Sequence, residues 1–135
     1  MTPDRSSPET KETLPSRVPM DPSTLLSPVP VVLVSCRGRT GPLDRNNLIT
    51  LAWAGTINSE PPMLSISVRK SRLSHPMIRE TGEFVVNLVD EDLVDACDFC
   101  GVRSGRDLDK FDACRLTAIP SRLLDHAPTL AESPL

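Results

Sequence analysis

The densest set of groups able to hold a ligand is Lys70-Ser71-Arg72-Leu73-Ser74, which puts two cations and two hydroxyls into five residues. The segment lies between a run that reads as a strand and one that reads as the start of a helix. Such a junction offers backbone N–H groups without partners and the positive end of a helix dipole, which together suit a mononucleotide phosphate. A solvated turn capped by Ser74 would use the same residues. Gly55-Thr56-Ile57-Asn58-Ser59 could aim hydroxyl and amide groups at a ring system, or simply form a polar loop. Cys97-Asp98-Phe99-Cys100 has the C-x-x-C spacing of a zinc or redox half-site. A structural zinc needs two further ligands, and Cys36, Cys114, His75 and His126 supply no second paired spacing. Free thiols on or beneath a helix are the simpler reading.

Other chemistries find little support. The nucleophile elbow G-x-S-x-G, the Walker A pattern, H-E-x-x-H and G-x-G-x-x-G do not occur. Two histidines far from any familiar partner make acid–base catalysis unpromising, and His75 before Pro76 suits a helix start. The net charge of −3 disfavours a nucleic-acid backbone binder. Trp53, Phe84, Phe99 and Phe111 are the whole aromatic set, too few for a stacking platform. No apolar run reaches the roughly 20 residues of a membrane span, and the polar start lacks a signal-peptide core. The expectation is therefore a cytoplasmic protein with no nucleic-acid or membrane partner.

The elements that must position these groups read as mainly β. Residues 1–21, with Pro3, Pro8, Pro15 and Pro19 among polar residues, are expected to be a disordered extension. One domain is expected over residues 22–135. Strands are expected over 29–36, 47–53, 63–69 and 83–89, where β-branched or alternating apolar residues recur. The alternation over 63–69 predicts a half-buried strand. Ser74 is expected to cap a helix over 75–80, closed by Gly82. Asp90 is expected to cap a second helix from Glu91 to about Phe99, ended by Gly101. Short strands with few helices favour a barrel over a doubly wound parallel sheet.

Four ordered blocks carry a family resemblance: 28–35 (PVPVVLVS), 47–74 (NLITLAWAGTINSEPPMLSISVRKSRLS), 81–88 (TGEFVVNL) and 100–111 (CGVRSGRDLDKF). Together they resemble the flavoredoxin branch of the flavin reductase family, from about Pro28 to Thr117, with a weaker likeness in 127–134. The resemblance implies a Greek-key-like split β-barrel that binds FMN as a homodimer. It implies hydride transfer from NAD(P)H to flavin and electron delivery to an acceptor that the sequence does not name. By that resemblance Trp53, Ala54, Gly55, Thr56, Ile57, Asn58 and Ser59 would line the isoalloxazine ring. Lys70, Ser71, Arg72 and Ser74 would hold the phosphate and ribityl chain, and Asn87 would sit near the flavin. Ser104, Gly105, Arg106, Asp109 and Lys110 would close over the site. No catalytic acid–base residue and no metal ligand is implied, since flavin carries the redox chemistry.

The resemblance also implies further strands beyond Leu135. On that reading the barrel is incomplete, and the chain is expected to be poorly stable alone and to dimerise or aggregate. Pro120, Pro128 and Pro134 make the segment 119–135 a poor replacement strand. The alternative function is a non-catalytic fragment of the family that binds flavin weakly or not at all. A C-x-x-C metal-binding module is the third reading.

Overall fold

A computed structural model describes residues 19–24 and 26–135. Most of the expected N-terminal extension, residues 1–18, thus lies outside the described residues. Strand β1 (Val32–Arg37) is the centre of a three-stranded antiparallel sheet, with β2 (Asn46–Leu51) on one side and β5 (Val85–Leu88) on the other. Strands β3 (Ala54–Ser59) and β4 (Pro62–Ile66) form a separate hairpin, and β6 (Ala118–Ile119) pairs with β7 (Thr129–Leu130). Helices α1 (Ser74–Thr81), α2 (Val94–Val102) and α3 (Lys110–Ala113) complete the chain. The architecture is mainly strands with a few short helices. Among the described residues the three sheets do not join into a closed barrel.

The apolar run Val32-Leu33-Val34 becomes the middle strand because both faces of β1 are covered. Leu33 points to a core with Leu48, Leu93, Cys97, Cys100, Phe111 and Leu130. Val32 and Val34 point to the opposite core with Ile49 and Leu51, against which Ile66, Val68, Phe84 and Val86 pack. A third cluster joins Cys36 to Leu73 and Met77, and so seats α1 on the sheet.

Several local expectations change. Residues 54–59 are a strand, not a loop, and β2 ends at Leu51, so Trp53 sits at the bend between β2 and β3. Of the alternating run 63–69 only residues 63–66 join β4, and that strand is exposed along most of its length, because among the described residues the hairpin pairs only with itself. Ser74 is the first residue of α1 rather than its cap. Leu73 holds the cap position without a side-chain bond, and the buried Ser74 Oγ instead accepts from Asn47 Nδ2 at 2.8 Å. Gly82 closes α1 with a left-handed φ of 73°, a conformation that glycine adopts without penalty. Asp90 does cap its helix, accepting from Leu93 N–H, but through a 3-10 turn over Glu91–Leu93. Gly101 lies inside α2, which runs on to Val102.

The proline-rich tail also docks, although it contributes only two residues to a strand. Ala127 and Leu130 are buried, Ser35 Oγ donates to Pro128 O at 2.6 Å, and Leu88 N–H donates to Leu135 O at 2.9 Å. Glu83 fastens the turn before β7. Its carboxylate accepts from the backbone N–H groups of His126 at 2.7 Å, Ala127 at 3.0 Å and Asp125 at 3.4 Å.

Those bonds, the one from Ala127 foremost, hold the Glu83 carboxyl below its usual pKa. A depressed folded-state pKa means stability that is present above the unfolded pKa and lost as pH falls through the folded one. Glu83→Gln should therefore melt at a lower temperature than the parent at pH 7. The difference should shrink as the pH drops below the ordinary carboxylate value of about 4. Thermal melts across the acid range measure this, and a constant difference would contradict it.

Candidate functional site

Where β2 ends, the chain bends at Ala52 and Trp53, runs through the hairpin and returns along Ser67 and Arg69 to the start of α1. The C-terminal end of α2 and the loop after it lie across this junction. Between them is a cavity of about 280 Å³. Its walls include Thr50, Leu51, Ala52 and Trp53 on one side and Ser71, Arg72 and Ser74 on another, with Arg103, Ser104, Gly105 and Arg106 on a third.

The cavity is electrostatically one-sided. Arg69, Arg72, Arg103, Arg106 and Lys110 line it, and no carboxylate does, in a chain whose net charge is −3. Low-dielectric walls around like-signed groups focus their field and raise the local concentration of anions. Hydroxyls from Ser67, Ser71, Ser74 and Ser104 add uncharged donors. Ser74 brings the start of α1 to the same space, but the turn has little backbone to offer, since His75 N–H donates to Arg72 O at 3.1 Å and Pro76 has no N–H.

Part of the cationic set is already committed. The Arg69 guanidinium lies 5.5 Å from the Trp53 ring centroid, a cation–π contact. Arg106 donates to Ser71 O at 2.9 Å, which ties the 104–106 loop to the turn before α1. Arg45 donates to Gly105 O at 2.6 Å and holds the loop from its other side. Lys110 is buried and donates to Leu48 O at 2.9 Å and Cys100 O at 2.7 Å. Burial pushes its ammonium below the ordinary lysine pKa, and the nearby Arg72 charge adds to this. Lys110 thus joins β2 to the end of α2 while spending two of its three donors.

The structure brings together Trp53, Ser71, Arg72, Ser74, Ser104, Gly105, Arg106 and Lys110 of the residues expected at a site. It places the others elsewhere. Ala54, Gly55, Thr56, Ile57, Asn58 and Ser59 form β3 and lead away from the cavity. Lys70 is exposed and lies outside the lining. Asp109 caps α3, accepting from Phe111 and Asp112 N–H. Asn87 is fully buried beneath the sheet. It donates to Leu33 O and Ser35 Oγ, both at 3.0 Å, and accepts from Leu130 N–H, so it fastens β7 to the sheet. Cys97 and Cys100 are buried in the core cluster of α2, and Cys100 also lines the cavity.

Sequence reading missed Asn47, Thr50, Ser67, Arg69 and Arg103 as wall residues. Ser67 and Arg69 stood immediately before the phosphate-like turn, which was a usable signal. Asn47 carried none, because its role depends on the packing of Gly105. A Cβ added at Gly105 would lie 2.1 Å from Asn47 Oδ1 and 3.0 Å from Leu73 Cδ2.

The fold is thus an open set of antiparallel sheets with a cationic, hydroxyl-rich cavity at a helix start. The model of the "flavin reductase like domain" matches residues 25–135, and the chain belongs to that family. The flavoredoxin of Desulfovibrio vulgaris superposes with a TM-score of 0.78 at 32% identity, over 87% of this chain and 62% of that one. The flavoredoxin of Methanosarcina acetivorans gives 0.75 and 29%, over 87% and 60%. An uncharacterized protein of Aeropyrum pernix is 32% identical over 112 residues, 81% of this chain and 40% of its own length. The chain spans about half the length of the curated relatives it matches, from 40% to 51%.

The fit of Gly105 against Asn47 gives a direct test of the cavity wall. Asn47 is buried and held by Ser74, so it has little room to yield. Gly105→Ala should lower unfolding stability by about 1–3 kcal/mol, the usual cost of overpacking. Urea denaturation measures it, and an unchanged midpoint would show that the loop gives way freely.

Proposed function

We propose that the protein binds FMN in this cavity and acts as a flavin reductase- or flavoredoxin-like oxidoreductase. On this reading it accepts hydride from NAD(P)H and passes electrons to a further acceptor. The observation that carries the proposal is the convergence of unopposed cations and hydroxyls with a helix start, beside an indole-bearing bend. The donor set suits a phosphate monoester dianion, which accepts several charge-assisted hydrogen bonds. The D. vulgaris and M. acetivorans relatives are flavoredoxins by name.

Bound FMN would supply the redox chemistry, taking a hydride equivalent and releasing electrons onward. The chain's own residues would bind and orient. The Ser71 and Ser74 hydroxyls and the Arg72 guanidinium would hold the phosphate. Arg106, anchored on Ser71 O, would keep the overlying loop against it. Thr50, Leu51, Ala52 and Trp53 would face the ring, which narrows the expected ring wall to the start of the 53–59 run. Fixed cations beside a ring that gains negative charge on reduction favour the reduced form without reorganising. No lining residue is a carboxylate or an imidazole, in keeping with chemistry that asks the protein for no general acid or base.

Homodimer formation belongs to the same reading. Ile57, Met63 and Leu64 on the β3–β4 hairpin are exposed, and a second copy would cover them. No helix among the described residues is long and apolar enough to cross a membrane.

The test is flavin titration of paired variants. Among the described residues Arg72 has no protein partner of the kind that anchors Arg106, which leaves its guanidinium to the cavity. Arg72→Ala should weaken FMN binding by about 1.5–3 kcal/mol, the cost of a lost charged hydrogen bond. Arg106→Ala should cost less. Unchanged affinity in the Arg72 variant would sink the phosphate assignment. Anaerobic addition of NADH or NADPH to the FMN-loaded chain should bleach its visible absorbance. Retained colour with both would remove the hydride step.

A further inference from the structure

Five of the chain's 15 Lys and Arg residues line the one cavity: Arg69, Arg72, Arg103, Arg106 and Lys110. That leaves ten for the rest of the chain, against 18 Asp and Glu. The molecule is an acidic body with a cationic mouth. The protein does not neutralise these five charges. Lys110 donates to two backbone carbonyls, Arg106 to the Ser71 carbonyl at 2.9 Å, and Arg69 lies 5.5 Å from the centroid of the Trp53 ring, all of them uncharged partners. Among the described residues the one ion pair is Arg37–Asp44, and neither residue lines the cavity. A phosphate monoester seated on Ser71, Ser74 and Arg72 carries about two negative charges at neutral pH, so the wall keeps a cationic surplus even with that group in place. Arg69 and Arg103 are exposed, line the cavity, and have no part in holding that phosphate.

We propose that Arg69 and Arg103 make the cavity mouth an anion-steering surface, and that the acceptor which collects electrons there is a small anion. The acceptor half rests on the flavin reading above, whereas the steering half does not. A small ion is favoured because the cations line a concave wall, where low-dielectric surroundings focus the field into the cavity. Arg69 lies over Trp53, the residue assigned to the ring wall, so an anion drawn to it arrives beside the place where electrons leave.

Trp53 is the chain's single tryptophan and is half exposed, so its fluorescence reports on the mouth without any flavin. Iodide, caesium and neutral acrylamide would be compared as quenchers of the flavin-free full chain at constant low ionic strength, each normalised to N-acetyltryptophanamide. Iodide should quench at least about twofold better than caesium, since the local field must outweigh the net charge of −3. The preference should vanish near 1 M salt, where the Debye length is about 3 Å. Arg103→Ala leaves the Arg69–Trp53 contact in place and should weaken the preference with acrylamide quenching unchanged. Equal quenching by the two ions, or a preference for caesium, would overturn the steering. An undiminished preference in the variant would overturn the assignment to Arg103.

The acceptor is tested with the FMN-loaded chain, reduced by one equivalent of dithionite and mixed with ferricyanide or with hexaammineruthenium(III). Each reduced flavin anion loses two electrons and one proton. Two ferricyanide ions gain one electron each, and the proton passes to solvent. Raising the salt should slow oxidation by ferricyanide by about tenfold and speed oxidation by the ruthenium cation. Free reduced FMN, itself an anion, gives the opposite dependence and serves as the control. That opposite dependence in the loaded chain would overturn the anionic acceptor. A chain that takes up no FMN, yet whose Trp53 favours iodide, would count against the flavin reading while supporting the steering.

Discussion

The structure depends on one requirement, that strand β1 be covered on both faces. Val32, Leu33, Val34, Ser35 and Cys36 are all buried, so neither side of the central strand can be left to water. Burial of apolar side chains is worth roughly 1.5–3 kcal/mol each, which makes exposing either face prohibitive for a domain of ordinary stability. One face is closed by α2, α3 and β7 around Leu33; on the other, Val32 and Val34 with their strand neighbours Ile49 and Leu51 are covered by Ile66, Val68, Ile78 and Phe84. Ser35 is the polar exception on the first face, and Pro128 O and Asn87 satisfy it. The docking of the C-terminal segment thus follows from the same requirement.

The cavity is a by-product of that closure turned to use. Covering the sheet from one side brings the end of α2 beside the end of β2, and covering it from the other brings α1 to the same corner. Backbone ends meet there, and polar groups that would otherwise be orphaned need partners. Lys110 satisfies two carbonyls from different elements, and Asn47 and Ser74 satisfy each other. What lines the corner is mostly positive charge and hydroxyl donors, with no carboxylate among them.

Much of this could be read in the sequence where the signal was local. The β-branched runs mark β1 and β5, Gly82 marks the end of α1, and the cluster over 70–74 marks the turn that faces the cavity. Long-range packing was not readable. Residues 54–59 carry Gly55 and Asn58, which argue for a loop, yet they pair with 62–66 as a hairpin. Asn87 looked available to a ligand, but the tail that consumes its amide arrives 43 residues later. Lys110 was expected in a loop closing over the site, and only the convergence of the Leu48 and Cys100 carbonyls explains its burial. Of the run 53–59, only Trp53 lines the cavity, because the chain turns away into β3 one residue later.

The central claim is that the corner where β2, α1 and the 103–106 loop meet recognises a phosphate attached to a flavin. Isothermal titration of the chain with FMN and with riboflavin isolates that phosphate, since the two ligands share ring and ribityl chain. If the cations and hydroxyls are engaged as described, FMN should bind at least about a hundredfold more tightly, as two charge-assisted contacts of about 1.5 kcal/mol each imply. The advantage should fall as salt screens the exposed arginines. Equal affinity for the two flavins, at low and high salt alike, would contradict the account.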